Sequence, residues 1–137
     1  MDQVTIPVLQ QMKREGKKSI GVVAWDFPTT RFAEMAGVDF VSIGDSVGAN
    51  LLGHDNPLQV TLDEILVFCK AVRRAAQRVL VSCDMPYGYL QEGVDSVMKA
   101  AVRIIKEGGA DMIKLDAAAD FPEIVRHMTK AGIPVFA

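Results

Sequence analysis

Three short apolar runs in this chain stop on an aspartate. Phe40-Val41-Ser42-Ile43-Gly44 runs into Asp45 and Ser46, Val79-Leu80-Val81-Ser82-Cys83 into Asp84, and Met112-Ile113-Lys114-Leu115 into Asp116. A continuous Val/Ile/Phe run suits a parallel strand buried on both faces. The carboxyl edge of such a sheet is where α/β folds keep their chemistry. Three carboxylates gathered at one edge repel one another, and their pKa values rise unless a cation intervenes. A hard divalent ion such as Mg²⁺ resolves that repulsion, because it takes oxygen ligands and keeps part of its shell for water or substrate oxygens. Asp45, Asp84 and Asp116 are therefore the candidate metal ligands. Lys114, two residues before Asp116, shares its face of a strand; an ammonium there would hold a carboxylate or an enolate oxygen. Ser46 is placed to donate to the same anion. Any one of these aspartates could instead cap the helix that follows it. Capping alone does not require the recurrence at equivalent places on three strands.

The elements that must deliver these residues alternate along the chain. Thr5 caps a short helix running to Arg14, and Ser19–Trp25 is the first strand. A helix carrying Phe32, Ala33, Met35 and Ala36 leads to a second strand, Val38–Ile43. Asp26 can line the site beside Trp25 or cap that helix. After Asp45 comes a long loop, Ser46–Val60, and long loops in compact domains are usually functional or mobile. Within it His54 is read as a surface histidine, with metal ligation the lesser alternative. Thr61-Leu62-Asp63-Glu64 has the spacing of a capping box. The helix it opens buries Ile65, Leu66, Phe68, Cys69 and Val72, and leaves Arg73, Arg74 and Arg78 at a solvated end. Strand Val79–Cys83, loop Met85–Glu92, helix Val94–Glu107, strand Met112–Leu115, helix Pro122–Lys130 and strand Gly132–Phe136 follow. Tyr87 and Tyr89 either line a pocket or meet a partner, His127 faces solvent, and Met12, Met35, Met98 and Met128 fill the core.

The motifs Ala36-Gly37-Val38, Gly109-Ala110-Asp111 and Ala131-Gly132-Ile133 each mark a helix turning into a strand, with glycine free to take the left-handed cap. Such β-α alternation demands a parallel sheet with right-handed crossovers. No Gly-x-Gly-x-x-Gly or phosphate-loop sequence follows the first strand, which favours a (β/α)₈ TIM-type barrel over a nucleotide-binding open sheet. A barrel needs about 250 residues, and this chain has 137. Residues 1–137 are thus expected to form one domain, the first half of a barrel (strands 1 to 5) behind a short N-terminal helix.

Half the residues are hydrophobic, 23% are charged, and the formal net charge is −2. That balance gives no basis for a nucleic-acid or anionic-membrane partner. No apolar run approaches the roughly 20 residues that span a bilayer, and the N-terminus lacks the pattern of a signal peptide. Two cysteines, Cys69 and Cys83, have no metal-type spacing and read as buried free thiols. A cytoplasmic location is the expectation.

Trp25-Asp26-Phe27-Pro28-Thr29, Gly44-Asp45-Ser46-Val47-Gly48, Val60-Thr61-Leu62-Asp63, Asp84-Met85-Pro86-Tyr87 and Gly108-Gly109-Ala110-Asp111 with Lys114 occur in this order over nearly the whole chain. Together they resemble the ketopantoate hydroxymethyltransferase family, within the phosphoenolpyruvate mutase and isocitrate lyase superfamily of barrels. The resemblance implies transfer of a hydroxymethyl group from 5,10-methylenetetrahydrofolate to 2-oxoisovalerate, in pantothenate synthesis. It implies that Asp45 and Asp84 ligate Mg²⁺, that the ion holds the 2-oxo acid, and that Ser46 and Lys114 bind the substrate anion. It also implies a homo-oligomer. The catalytic base of the family is a glutamate of the second half-barrel, so no catalytic residue is expected within this chain. Three positions depart from the family pattern: Asp116-Ala117-Ala118 replaces Glu-Gly-Gly, Gly88-Tyr89 replaces Ser-Tyr, and Phe68 replaces a histidine. Two rival readings stand beside this one, the first kept open by these departures and the second by the two sheet edges an open half-barrel would expose. One is a superfamily relative that makes or breaks a C–C or P–C bond beside a 2-oxo acid. The other is a non-catalytic half-barrel that pairs with another chain.

Overall fold

A computed structural model describes residues 2–137. Five strands, β1 (Gly21–Val23), β2 (Phe40–Ile43), β3 (Leu80–Asp84), β4 (Met112–Lys114) and β5 (Val135–Phe136), form one sheet in the order β1-β2-β3-β4-β5. All four pairings are parallel. Helices α1 (Ile6–Arg14), α2 (Phe27–Met35), α3 (Leu62–Ala75), α4 (Tyr89–Glu92), α5 (Val94–Arg103) and α6 (Pro122–Lys130) precede the sheet or connect its strands. Sequential order with parallel pairing is the connectivity of a (β/α)₈ barrel rather than of a doubly wound sheet, whose order reverses at a switch point. Among the described residues no helix is long and apolar enough to cross a membrane.

The period of two along each strand separates two faces. Val41, Ile43, Val81, Cys83 and Ile113 join one hydrophobic cluster with Ile65, Leu66, Cys69 and Val72 of α3 and Val97, Ala100 and Ala101 of α5. The opposite face carries Phe40, Ser42, Asp84 and Lys114, which line a concavity with Phe136. Burial of the first set drives the sheet against its helices, at about 25 cal/mol per Å² of apolar surface. It also leaves the second set free for polar work. Both cysteines are free and buried, as expected.

Local signals fix the helix starts. Thr5 caps α1, and Thr61 caps α3 with a reciprocal box in which Glu64 accepts from the Thr61 N–H at 2.7 Å. Asp26 caps α2, accepting from the Thr29 N–H at 2.7 Å, which decides its reading in favour of capping. Gly37, Gly109 and Gly132 take φ of +89°, +77° and +82°, the left-handed turn anticipated at each helix-to-strand junction.

Several expectations need correction. Strand one is shorter than Ser19–Trp25, because as an edge it pairs on one side only. Met35 is 74% exposed and Met12 stands outside the hydrophobic cluster, on a helix with no buried residue, so neither fills the core, while Phe68 is half-buried at its margin. The loop Ser46–Val60 holds a π-helical turn at Gly48–Leu52 and a 3₁₀ turn at Pro57–Gln59. The helix expected to reach Glu107 is α-helical to Arg103 and closes in a π-turn, Ile104–Gly108. Of the arginines at the end of α3, Arg74 is exposed as expected, but Arg73 and Arg78 are not left in solvent. Arg73 pairs with Asp111 at 3.0 Å, and Arg78 donates to the Val38 carbonyl.

One side chain sets the approach to β3. A single oxygen of Glu34, on α2, accepts backbone N–H groups from Gln77 at 2.9 Å, Val79 at 3.1 Å and Arg78. Burial opposes its charge, but these donors and Arg31 outweigh that and hold the carboxyl below its usual range. Glu34→Ala would strand three N–H groups where the chain enters the strand bearing Asp84. We expect a loss of about 3 kcal/mol, read as a lower urea midpoint with unchanged slope.

Candidate metal and oxo-acid site

The carboxyl edge of the sheet brings the four residues singled out by spacing, together with Ser46, into one concavity. Asp45 and Ser46 leave β2, Asp84 ends β3, and Lys114 ends β4 with Asp116 two residues on. Asp84 lies within its strand rather than after it, in register with Lys114, because the Met85 N–H donates to the Lys114 carbonyl at 3.0 Å. The concavity measures about 360 Å³ and is lined by Asp45, Ser46, Asp84, Lys114 and Asp116 above Ser42 and Phe40.

Carboxylate oxygens of Asp45, Asp84 and Asp116 lie within 4.8 Å of one another. Asp84 is the buried member at 5% exposure, Asp45 is half-buried and Asp116 is exposed. One oxygen of Asp84 accepts from the Asp45 N–H at 3.3 Å and the Lys114 ammonium at 3.4 Å. Its other oxygen, Oδ1, is buried and has no protein partner. Lys114 also bonds to Asp116. One ammonium thus faces three carboxylates, so the cluster carries a formal charge of −2.

The titration behaviour follows from that imbalance. Burial pushes Asp84 up to about 6 against the pull of Lys114, with Asp116 and Asp45 adding to the rise. Burial and the charge of Asp116 raise Asp45 as well. For Lys114, burial works against the ammonium, yet the adjoining carboxylates outweigh it and its pKa rises. Three hard oxygen donors from three strand ends, with a buried carboxylate oxygen left unpartnered, fit a divalent cation of the Mg²⁺ type.

Other sequence candidates fall outside the concavity. Trp25 packs against the hydrophobic cluster, as does Tyr89, and Tyr87 is 57% exposed. His127 is exposed, as expected. His54 is not a free surface histidine: its Nε2 lies 3.3 Å from Glu64 Oε1, and its Nδ1 is buried. Spacing did not reveal the glycine that makes room for the cluster. A Cβ on Gly44 would stand 3.1 Å from Ser46 Oγ and 3.7 Å from Asp84 Oδ2; its place between strand and aspartate was the available signal.

Fold and site together define a parallel α/β half-barrel with an acidic cluster at its carboxyl edge. A 2,3-dimethylmalate lyase described as a member of the PEP mutase/isocitrate lyase superfamily superposes with a TM-score of 0.70 at 15% identity, over 98% of this chain and 51% of that one. A phosphonopyruvate hydrolase solved with oxalate and Mg²⁺ superposes with a TM-score of 0.62 at 15% identity, over 78% of this chain and 36% of the other. The sequence gives the finer assignment. The profile of the family described as ketopantoate hydroxymethyltransferase matches residues 3–137, and the chain belongs to that family. It is 41% identical over 133 residues to a 3-methyl-2-oxobutanoate hydroxymethyltransferase of Trichlorobacter lovleyi, covering 97% of this chain and 50% of that protein. A protein of the same name from a Cyanothece species is 43% identical over 135 residues, covering 96% of this chain and 51% of its own length. The chain spans about half the length of these relatives.

Proposed function

We propose that these residues are the metal- and substrate-binding half of an enzyme that transfers a hydroxymethyl group from 5,10-methylenetetrahydrofolate to 2-oxoisovalerate, in pantothenate synthesis. The observation that carries the reading is the unpartnered Oδ1 of Asp84 inside a ring of three carboxylates, in a chain of this family. Asp45, Asp84 and Asp116 would hold Mg²⁺. When bound, the ion would supply Lewis-acid stabilisation of the negative charge that builds on the keto oxygen as the C3 proton leaves.

The remaining work falls to the chain itself. Lys114 gives up its contact with Asp116 to meet the substrate carboxylate, a charge-assisted bond worth more than a neutral one. The Ser46 hydroxyl, which lines the same concavity, donates to that anion. Ser42 and Phe40 floor the concavity and face the branched alkyl end. The base that takes the C3 proton is assigned to the barrel half beyond β5. The homo-oligomer and the cytoplasmic location belong to the same reading and rest on family membership alone.

Calorimetric titration of 2-oxoisovalerate into the 137-residue chain with and without Mg²⁺ tests the reading. Binding should appear only with the metal, and pyruvate, which lacks the branched end, should bind about tenfold more weakly, the equivalent of roughly 1.4 kcal/mol. Tighter binding of another 2-oxo acid would move the chain to a relative acting on that acid. No binding by a folded chain would favour the non-catalytic half-barrel.

A further inference from the structure

The long segment between Asp45 and α3 is tied down at its middle by a pair of residues that the proposed chemistry does not use. His54 Nε2 lies 3.3 Å from Glu64 Oε1, while Glu64 Oε2 accepts the Thr61 N–H at 2.7 Å and the Thr61 hydroxyl at 3.0 Å. Glu64 is thus anchored to the first turn of a core helix before it meets the histidine. Nε2 faces the carboxylate, and Nδ1 turns inward to a buried position without a hydrogen-bond partner among the described residues.

What Nδ1 faces is the turn that leads back to the site. A Cβ on Gly48 would stand 3.0 Å from His54 Nδ1 and 3.0 Å from Val60 Cβ, so the ring, Gly48 and Val60 are packed edge to edge. The backbone N–H of His54 closes on the Gly48 carbonyl at 3.0 Å. From Gly48 the connection is continuous: its N–H donates to the Asp45 carbonyl at 3.1 Å, the Val47 N–H to the Gly44 carbonyl at 3.1 Å, and the Asn50 N–H to the Ser46 carbonyl at 2.9 Å. The histidine therefore closes a short path of hydrogen bonds that begins at a core helix and ends on the residues presenting Ser46.

We infer that His54, clasped to Glu64, is a positioning residue that fixes the Gly44–Gly48 turn and so aims the Ser46 hydroxyl at the bound 2-oxo acid. The inference rests on the reading of Ser46 as a contact to that acid. Asp84 is held within β3, and Asp84 and Asp116 both meet Lys114; of the three carboxylates only Asp45 lies in the clasped turn, so the clasp should matter more for the organic anion than for the metal. A general loss of structure would weaken both.

His54→Leu removes the donor, and His54→Gln keeps an N–H donor at similar reach. Three measurements on the 137-residue chain decide the matter: amide hydrogen exchange at Val47 and Gly48, binding of Mn²⁺ alone, and binding of 2-oxoisovalerate with Mg²⁺ present. In His54→Leu, exchange at both amides should quicken about tenfold and 2-oxoisovalerate should bind about tenfold more weakly. Affinity for Mn²⁺, which Asp84 and Asp116 still hold, should fall by no more than about threefold, and His54→Gln should restore exchange and oxo-acid binding. Unchanged exchange, equal loss of metal and oxo acid, or failure of His54→Gln to rescue would overturn the clasp. Absence of 2-oxoisovalerate binding in the unmutated chain would sink the substrate reading instead, and exchange with its rescue would still judge the clasp.

Discussion

Asp84→Asn is expected to weaken Mg²⁺-dependent binding of 2-oxoisovalerate at least about 100-fold, roughly 2.8 kcal/mol, with an unchanged circular dichroism spectrum. Asp84 differs from its two neighbours in burial. At 5% exposure, its oxygens have little water to exchange for a ligand, and Oδ1 has no protein partner. Asparagine has the same shape and still accepts the Asp45 N–H, so the turn after β2 survives. It cannot present an anionic oxygen to a cation, and it leaves Lys114 with Asp116 as its only carboxylate partner. Asp116→Asn, on an exposed residue, should cost less, about tenfold. Full affinity in Asp84→Asn, measured by the same titration, would place the ion elsewhere.

The metal-free chain should become less stable as pH rises through the range in which Asp84 ionises. Its folded pKa, about 6, stands above the ordinary value of 3.8. Between those values the folded chain keeps a proton that the unfolded chain has released, so stability falls with rising pH and levels off above about 6. Roughly two pH units of displacement correspond to at most about 3 kcal/mol. The rise in Asp45 acts in the same sense, whereas the depressed Glu34 stabilises above its ordinary 4.5 and loses that contribution only as pH falls. The raised Lys114 contributes stability that is lost only above the ordinary lysine value of 10.5, outside this window. Urea unfolding at pH 5 and 7.5 should therefore show the higher midpoint at pH 5. Millimolar Mg²⁺ should lift the pH 7.5 midpoint, because the cation replaces the missing proton. Asp84→Asn should flatten most of the pH dependence; a midpoint that rises with pH in the unmutated chain would contradict the assignment.

The parallel order of the strands, the helix caps at Thr5 and Thr61 and the glycine turns at Gly37, Gly109 and Gly132 were legible in the residues. Each depends on interactions within a few residues or on a period that a strand or helix imposes. The three aspartates were legible for the same reason, since a strand's end marks the sheet edge wherever the strand lies. Long-range partners were not. Glu34 under β3, Arg73 on Asp111 and His54 on Glu64 look like surface charges in a linear reading, and only packing shows which donors each one meets. Met35 failed as a core residue because helical spacing gives the angle between side chains, not the direction in which the helix docks.

The sequence by itself determined the order of elements, the fold class, the family and the carboxylates that reach the sheet edge, because these follow from local conformational preference and from spacing. Tertiary structure decided what those carboxylates are. It buried Asp84 and left Asp116 in solvent, put one ammonium among three acids, and left one buried oxygen without a partner. Charge and dielectric act through space, and their balance exists only once three strands are side by side.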